Sequence, residues 1–529
     1  MRQERFEERI GLCSRKKITK MNKFYITTSI PYLNGRPHIG HALEFVQADV
    51  LARYNRLLGE DVWFLSGTDE HGIKISRTAQ ANGKSEKEFT DELAEEFRLV
   101  LKKLNISNND FIRTSDKERH WPGVNKIWLE LVAKDDLYKK SYQGLYCAGC
   151  EAFLKKSDLV DGRCKIHNMK GLDVVEEENW FFRLSKYKKE IKKKIESDEF
   201  RIVPETRKNE IINLINDAED VSFSRPVESL KWGIPVPNDP SQTIYVWADA
   251  LTNYISALGY ASGDTRFNKF WPADVHLVGK DILRFHALIW PAILLSAGLK
   301  LPESIYVHGF INVDGQKMSK TIGNIIDPFS VIEKYSADVV RYFLLREIPS
   351  GEDGDFSYKK LEDRYNGDLA NGLGNLVQRT VTLIENNLAG ELIYKPAMIE
   401  EEMKNKIDQL FKEYIKNLDS FLLHESLGKT WELIGVANKY VDDHKPWISV
   451  KENPEKFLVT MNNVVFILYN VAWMLTPFMP ETADKIFKTL GADRDAKTLE
   501  NYKFLVQKTP SSLNASKGQG AGLFPRLEK

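Results

Sequence analysis

Two histidines, His38 and His41, stand three positions apart with Gly40 between them, directly after an apolar run. Side chains at this spacing lie on one face of the first turn of a helix. The backbone N–H groups of a helix N-terminus attract phosphate, and Gly40 lets a flat ring or a phosphate approach the backbone closely. The motif therefore predicts hydrogen-bond donors that point toward a polyphosphate. The alternative interpretation is two ordinary surface histidines.

A second motif, Lys317-Met318-Ser319-Lys320-Thr321, follows an apolar run, and glycines surround it at Gly309, Gly315 and Gly323. Two ammonium groups on a mobile loop can neutralise the charge that develops on a leaving pyrophosphate. An isolated loop of this kind is more often a solvated lysine-rich surface. Together with the histidine motif, it predicts a site for a nucleoside triphosphate.

Three of the four cysteines and one histidine form two pairs, Cys147-x2-Cys150 and Cys164-x2-His167. Three thiolates and one imidazole complete a tetrahedral zinc shell, and a closed shell of this kind is structural rather than catalytic. Such grouping, in a chain without a secretion signal, favours a metal over disulfides, and free buried thiols are the alternative. The sequence predicts one structural zinc ion.

The periodicity of apolar residues predicts the elements that must position these motifs. An apolar strand at 24–29 precedes a helix from about His38 to Gly59, and further strands are predicted at 62–65, 244–247, 276–279 and 305–310. Alternating strands and helices predict an α/β fold with a Rossmann-like parallel sheet. This rhythm fails between about 131 and 230, which indicates an insertion, and beyond about 365 the pattern is helical, without convincing strand alternation.

Composition excludes several classes of protein. The 529 residues include 75 Lys+Arg and 75 Asp+Glu, so the net charge is zero, and 42% of residues are hydrophobic. This is an ordinary globular mix, unlike that of a collagen, a mostly disordered chain or a generic polyanion binder. The longest strongly apolar stretch, Val464–Leu475, is shorter than the about 20 residues that cross a bilayer. Because residues 1–20 resemble neither a signal nor a transit peptide, we expect a cytoplasmic protein without membrane contact.

The histidine and lysine motifs together resemble the two signature motifs of class I aminoacyl-tRNA synthetases. Within that class, four stretches are similar to the methionyl-tRNA synthetase family: Ile30–Gly35, Gly67–Gly72, Tyr245–Ala250 and Gly279–Ile282. Thr321 departs from the serine usual in the family but keeps the hydroxyl. The resemblance implies that methionine reacts with ATP to give methionyl-adenylate and pyrophosphate, and that the aminoacyl group then passes to tRNA(Met).

The resemblance also assigns roles by motif position. The ATP site would comprise His38, Gly40, His41, Asp281, Lys317 and Lys320. The two histidines and two lysines are the implied catalytic residues, with Mg²⁺ accompanying ATP. The carboxylate of Asp69 would bind the α-ammonium group of methionine, because a buried cation needs an anionic partner. The other residues that match the family's methionine pocket are Ile30, Tyr32, Trp247, Ala250, Leu251, Tyr254, Ile282 and His286.

The helical C-terminal region would hold the tRNA anticodon, through Asn375, Arg379 and Trp447. Asn and Arg can bind base edges and Trp can stack on an unpaired base, although a helix cap and a core Trp are the alternative. The implied division of the chain is a disordered extension (1–20), a first catalytic half (21–130), a zinc-binding insertion (131–230), a second catalytic half (231–320), a stem-contact linker that starts at the lysine loop (321–365), an anticodon-binding domain (366–507) and a tail (508–529).

Two other functions stay open at this point, a different class I synthetase and a non-catalytic zinc-ribbon RNA-binding protein. The first is disfavoured because the insertion, of about a hundred residues, is too short for the editing module of the large aliphatic-specific members. The second would not require both signature motifs. A monomer is expected, since no tRNA-binding dimer module is recognisable after residue 507.

Overall fold

The computed structural model describes residues 22–147, 152–154, 159–164, 172–319, 322–492, 503–506 and 522–527. The first part alternates strands and helices, as the apolar periodicity predicts. Its elements are β1 (Lys23–Thr28), α1 (Ile39–Leu57), β2 (Asp61–Thr68), α2 (Ile73–Ala81), α3 (Glu86–Lys103), β3 (Asp110–Arg113) and α4 (Trp121–Ala133).

The second part is mainly antiparallel. Its elements are β4 (Leu137–Cys147), β5 (Ala152–Leu154), β6 (Leu159–Val160), β7 (Arg163–Cys164), β8 (Asp173–Phe182), α5 (Lys188–Glu196), β9 (Arg201–Val203), α6 (Glu205–Asn216), β10 (Val221–Ser222), β11 (Ser224–Pro226), β12 (Pro235–Val236) and β13 (Asp239–Ile244). Strands β10, β8, β4 and β5 form one sheet in that order, and β11, β13 and β12 form another.

The chain then returns to alternating helices and strands. These elements are α7 (Val246–Leu251), α8 (Asn253–Ser256), α9 (Thr265–Phe270), β14 (Val275–Gly279), a π-helical turn (Phe285–Ile289), α10 (Trp290–Ser296), β15 (Ser304–His308), β16 (Ile311–Val313), β17 (Gln316–Lys317), α11 (Pro328–Tyr335), α12 (Ala337–Glu347) and β18 (Gly354–Phe356).

The central sheet runs in the order β3-β2-β1-β14-β15-β9 within the described ranges, and each neighbouring pair is parallel. This confirms the predicted Rossmann-like α/β fold. The strand order reverses between β1 and β14, and open parallel sheets bind ligands beyond the carboxyl ends of the strands at such a point. The loops after these two strands carry the histidine motif and residues 279–282.

Two details of the sheet differ from the prediction. The predicted strand at 244–247 is wrong: the extended segment ends at Ile244 in an antiparallel sheet, and helix α7 begins at Val246. A short apolar run is equally typical of a buried strand and of a buried helix start, so periodicity alone does not distinguish the two here. Strand β9, from the expected insertion, pairs with β15 and completes the parallel sheet.

The C-terminal part is helical, as predicted. It comprises α13 (Tyr358–Arg364), a π-helical segment (Tyr365–Gly374), α14 (Asn375–Leu388), β19 (Glu391–Ile393), α15 (Glu401–Asp419), α16 (Leu423–His444), α17 (Pro446–Glu452), α18 (Pro454–Leu475), α19 (Pro480–Leu490) and β20 (Lys503–Leu505). The pairing of β19 with β20 was not predicted, since three-residue strands show little alternation.

Helix α18 extends the predicted apolar stretch toward the N-terminus. Among the described residues it is the one helix long and apolar enough to cross a membrane, and 89% of its apolar window is buried inside the protein. It contacts α16, α17 and α19, so its apolar character serves the core of the helical bundle.

The parallel sheet and the helical bundle share one apolar cluster, which includes residues of α1, α12 and α18. A fully buried guanidinium, that of Arg341 on α12, lies in this junction. It donates to the carbonyl oxygens of Pro477, Phe478 and Leu104 at 2.9, 2.8 and 3.2 Å, and it contacts the carboxylate of Asp49 at 2.7 Å. Arg341 therefore ties the start of α19 to helix α1.

Candidate active site

The two histidines of the first motif lie at the N-terminus of α1, as predicted. His38 caps the helix, and the rings of His38 and His41 stack with centroids 3.7 Å apart. The Gly40 N–H donates to His38 Nδ1 at 3.2 Å, and the His38 N–H donates to His41 Nδ1 at 3.1 Å. Because Nδ1 accepts in both rings, each carries its hydrogen on Nε2, from which it can donate to a phosphate.

The lysine motif reaches the same helix end. A Cβ built on Gly40 would lie 3.7 Å from the Cε methyl of Met318 and 3.1 Å from the His38 ring. The Ile39 N–H also donates to the carbonyl oxygen of Ile326 at 3.1 Å, just beyond the lysine loop. The two motifs, far apart in sequence, therefore meet at Gly40, and any larger residue there would narrow the space between them.

An asparagine braces the part of the lysine loop that the structure describes. The Ser319 N–H donates to Asn324 Oδ1 at 2.8 Å, and Asn324 Nδ2 donates to the Lys317 carbonyl oxygen at 3.3 Å. Lys317 is exposed, with its ammonium group 6.0 Å from the centroid of the Phe310 ring. Lys320 and Thr321 lie outside the described residues, so the role of Lys320 stays a prediction.

Asp69 and Tyr32 lie side by side beyond the ends of β2 and β1. They form an isolated parallel bridge, in which the Asp69 N–H donates to the Pro31 carbonyl oxygen and the Leu33 N–H donates to that of Asp69, both at 2.9 Å. Asp69 is buried and Tyr32 is half-buried. These bonds fix the main chain of Asp69, whose carboxylate is predicted to bind an ammonium group.

Most of the predicted methionine pocket lies in or against one apolar cluster, and Trp247, Tyr254 and His286 form its aromatic wall. The indole of Trp247 stacks on Phe285 at 3.6 Å and meets the ring of His286 edge-on at 6.4 Å. Ile30, Trp247 and Ile282 border the same apolar cluster, which contains Leu251 and Tyr254, and Ala250 is buried on the same helix as Trp247. Burial, aided by the charges of Glu44 and Asp69, raises the pKa of Tyr254 far above its ordinary value. Because the charge of Asp69 acts on Tyr254, the aromatic wall and Asp69 lie close together.

His286 lies on the π-helical turn, a feature frequent at functional sites. Its Nδ1 is 3.0 Å from the Ile282 carbonyl oxygen, and its Nε2 is 2.7 Å from the Tyr254 hydroxyl. A carbonyl oxygen can only accept, so Nδ1 carries the hydrogen and Nε2 accepts from Tyr254. Burial lowers the pKa of His286 to about 4, which keeps the imidazole neutral at physiological pH.

The buried His286 is expected to make the protein less stable as pH falls from about 6.5 to about 4. In this window the unfolded chain protonates the residue and the folded chain does not, so the free energy of unfolding falls by up to about 1.4 kcal/mol per pH unit. His286→Gln should flatten this slope by one proton, as measured by urea unfolding at several pH values. An unchanged slope would contradict the assignment.

A buried ion pair that no sequence motif predicts lies beside the histidine motif. Glu44, one turn after His41, accepts from the Ser29 N–H and hydroxyl, each at 2.6 Å, and its other oxygen is 3.0 Å from His308 Nε2. His308 Nδ1 faces the Gly309 carbonyl oxygen at 2.8 Å. Burial opposes protonation, but Glu44 raises the pKa of His308 overall. Glu44 lies on the same face of helix α1 as His41, and this spacing was the signal available in the sequence.

Asp281 lies next to this pair, in the loop after β14. Its Oδ1 would be 2.8 Å from a Cβ built on Gly279, and the His308 ring would be 3.5 Å from the same point. The Asp281 side chain is exposed, so it is open to a ligand at the end of the sheet.

The predicted zinc ligands are described only in part. Cys147 and Cys164 are both buried, at the ends of β4 and β7, whereas Cys150 and His167 lie outside the described residues. The described ranges contain no group of three or more His, Cys, Asp or Glu side chains that could hold a metal. Two buried thiols are soft donors that suit zinc, and the complete site stays a prediction.

The predicted anticodon residues form an exposed surface on the bundle. The guanidinium of Arg379 lies 5.3 Å from the centroid of the Trp447 ring and pairs with Asp442 at 3.0 Å. Trp447 is 44% exposed, which excludes the alternative of a core Trp. Asn375 is exposed one helical turn before Arg379.

This fold and this convergence of motifs define a class I aminoacyl-tRNA synthetase. The family described as tRNA synthetases class I (M) matches residues 24–170 and 154–381, and the anticodon binding domain of methionyl tRNA ligase matches residues 394–514. The chain belongs to this family, the methionyl-tRNA synthetases.

Relatives and solved structures agree with this assignment. The methionine–tRNA ligase of Caldanaerobacter subterraneus is 44% identical over 96% of this chain and 79% of its own length, and that of Thermotoga maritima is 43% identical over 91% and 78%. A Mycobacterium tuberculosis methionyl-tRNA synthetase, solved in complex with methionyl-adenylate, superposes with a TM-score of 0.88 at 36% identity, covering 96% of this chain and all of that one.

Proposed function

We propose that this chain is a methionine–tRNA ligase that activates methionine with ATP and transfers it to the 3′ end of tRNA(Met), in the cytoplasm. The observation that carries the proposal is the contact of the two signature motifs at Gly40, where Met318 lies over the helix end that His38 caps. This arrangement places the imidazole N–H groups, which can donate hydrogen bonds to phosphate, beside the loop that carries the lysines.

In the first step, the carboxylate of methionine attacks the α-phosphorus of ATP. The bond to the bridging oxygen breaks, and pyrophosphate leaves with the electron pair. The Nε2–H groups of His38 and His41 hold the phosphates, and Lys317 and Lys320 stabilise the charge on the leaving group. Mg²⁺ bound with ATP would add positive charge there. The protein supplies position and charge, without a covalent intermediate.

The methionine site combines a charged and an apolar part. Asp69 pairs with the α-ammonium group, while Tyr32 lies beside it. The thioether packs against the wall of Trp247, Tyr254 and His286, since its polarisable sulfur favours aromatic contacts. Asp281 holds the ribose. In the second step, a hydroxyl of the terminal adenosine of tRNA attacks the activated carbonyl carbon, and AMP leaves.

ATP–pyrophosphate exchange with each of the twenty amino acids tests this function. Only methionine is expected to support rapid exchange, and tRNA(Met) should then accept the methionyl group. Exchange with a different amino acid would identify a different synthetase, and absence of exchange with all of them would contradict the enzymatic proposal.

We propose that Cys147, Cys150, Cys164 and His167 hold one zinc ion, which would stabilise the tip of the insertion. Native mass spectrometry should show one zinc per chain, and Cys147→Ser should lose it. Cys13, the cysteine outside the two pairs, offers a matched control: Cys13→Ser should keep the metal. A metal-free wild-type protein would refute the site.

We propose that Asn375, Arg379 and Trp447 contact the anticodon. Trp447→Ala should raise the KM for tRNA about 10- to 100-fold, because stacking on a base contributes about 1–3 kcal/mol. Methionine-dependent exchange should be unchanged, since that step needs no tRNA. Ile448→Ala, at the 40% exposed neighbour, is the control and should have a normal KM. Impaired exchange in Trp447→Ala would indicate a folding defect instead.

A further inference from the structure

A buried carboxylate bridges two histidines beside the methionine site. Asp249 Oδ2 is 2.6 Å from His71 Nδ1, and Asp249 Oδ1 is 2.7 Å from His120 Nε2. His120 Nδ1 is 2.8 Å from the hydroxyl of Ser256. The three titratable side chains are essentially inaccessible to solvent, and none of them has a part in the mechanism above.

The network joins two elements that hold different parts of methionine. His71 lies two residues after Asp69, in the loop beyond β2. Asp249 lies on α7, two residues after Trp247 and one before Ala250. Residues two apart on a helix point to nearly opposite sides, so Asp249 can hold α7 from behind while Trp247 faces the ligand. The network therefore spans from the ammonium-binding loop to the aromatic wall.

Glu70, which lies between Asp69 and His71, fixes the same loop to the central parallel sheet. Glu70 accepts from Arg113 at 2.7 and 2.8 Å and from the Thr68 hydroxyl at 2.6 Å. The Trp232 indole donates to the Glu70 carbonyl oxygen. Because Glu70 is bound to strand β3 and His71 is bound to helix α7, the position of Asp69 is fixed relative to this strand and this helix.

Charge strengthens the contact with α7. Burial alone would raise the pKa of Asp249, but His71 and His120 outweigh burial and hold it below its ordinary value. The carboxylate is therefore ionised and accepts an N–H from each ring. Hydrogen bonds to an ionised acceptor are roughly twice as strong as neutral ones.

We propose that the His71–Asp249–His120 network is a positioning device for the methionine site, which fixes the distance between the Asp69 loop and the Trp247 helix. The proposal rests on the methionine-activating function given above. Asp249 and the two histidines are positioning residues, since they act through Asp69 and Trp247 and not on the reacting atoms.

Asp249→Ala tests the proposal through the KM for methionine in the exchange reaction. Displacement of the ammonium-binding carboxylate should raise this KM at least about tenfold, because small misplacements in a site are costly. The KM for ATP should stay within about twofold of wild type, since the phosphate motif lies on other elements. A general loss of structure would not separate the two constants in this way.

A second buried carboxylate provides the matched control. Asp136 bonds to Lys186 and Ser296, each at 2.7 Å, and to none of the methionine-site residues. Asp136→Ala should lower the melting temperature without changing the KM for methionine. If Asp249→Ala lowers the melting temperature in the same way and leaves this KM within about twofold of wild type, the proposal is wrong.

Asp249→Asn covers the case in which the alanine variant does not fold. Its amide oxygen can accept from His71, and its NH₂ group can donate to His120 if that ring changes tautomer and donates to Ser256. The polar contacts are then kept but the charge is lost, so a smaller rise in the methionine KM is expected. An unchanged KM in this variant would also overturn the proposal. A wild-type protein without methionine-dependent exchange would instead contradict the proposed function, and this inference with it.

Discussion

Asp69→Ala is expected to abolish methionine-dependent ATP–pyrophosphate exchange in a protein that still folds. Asp69 is buried, and its backbone N–H and C=O are hydrogen-bonded to the Pro31–Leu33 segment, so the backbone that carries the carboxylate is fixed before a cation binds. A buried ammonium group without its anionic partner costs about 3–5 kcal/mol, which corresponds to a loss of roughly 100- to 4,000-fold in kcat/KM for methionine.

The other end of the same strand supplies the control. Asp61 begins β2 and forms a surface ion pair with Lys269. Asp61→Ala should retain wild-type exchange, because this pair lies at the amino end of the strand, opposite the ligand edge. Circular dichroism would establish that both variants fold. Near-normal exchange in Asp69→Ala would refute the ammonium-binding role.

Arg341→Leu is expected to lower the free energy of unfolding by about 3–5 kcal/mol, because it removes one partner of a buried ion pair. Three carbonyl oxygens lose their donor, and Asp49 keeps Arg53 as its cationic partner at 2.7 Å. Burial opposes the charge of Asp49, and Arg341 with Arg53 holds its pKa below the ordinary value in the wild type. Urea unfolding of the two proteins measures the difference.

An exposed arginine is the control that shows how much the burial of Arg341 contributes to the free energy of unfolding. Arg36 pairs with Glu96 at 2.8 Å and its side chain is 68% exposed. Arg36→Leu should cost less than about 1 kcal/mol, the usual limit for a solvent-exposed pair. Similar losses in the two variants would show that Arg341 does not hold the catalytic domain and the bundle together.

Local sequence patterns predicted the parts of the fold that depend on neighbouring residues. The helix from Ile39 to Leu57 has a strong apolar periodicity and a clear start, and both features were found. Strands β14 and β15 were predicted because a fully buried parallel strand is a short apolar run. The same rule failed at 244–247, where a buried helix start has an equally apolar sequence.

The site was predictable where residues carry a motif, and not where they form pairs across the fold. The spacing of the histidine motif predicted its position at the start of a helix. The resemblance to a family predicted the roles of Asp69 and of the residues of the aromatic wall. The bond between Glu44 and His308 joins residues far apart in sequence, so its existence depends on the sheet order. The contacts of Asp249 with two histidines are of the same kind.

Strand β9 has a consequence for any attempt to shorten this protein. It comes from the segment between the two halves of the catalytic domain, yet it forms the last strand of the parallel sheet beside β15. Joining residue 130 directly to residue 231 would remove the hairpins proposed to hold zinc together with this strand. The backbone N–H and C=O groups of β15 would then lie on an open margin that can pair with other chains. A minimal catalytic core must therefore retain residues 201–203, and a deletion of the hairpins alone is the safer design.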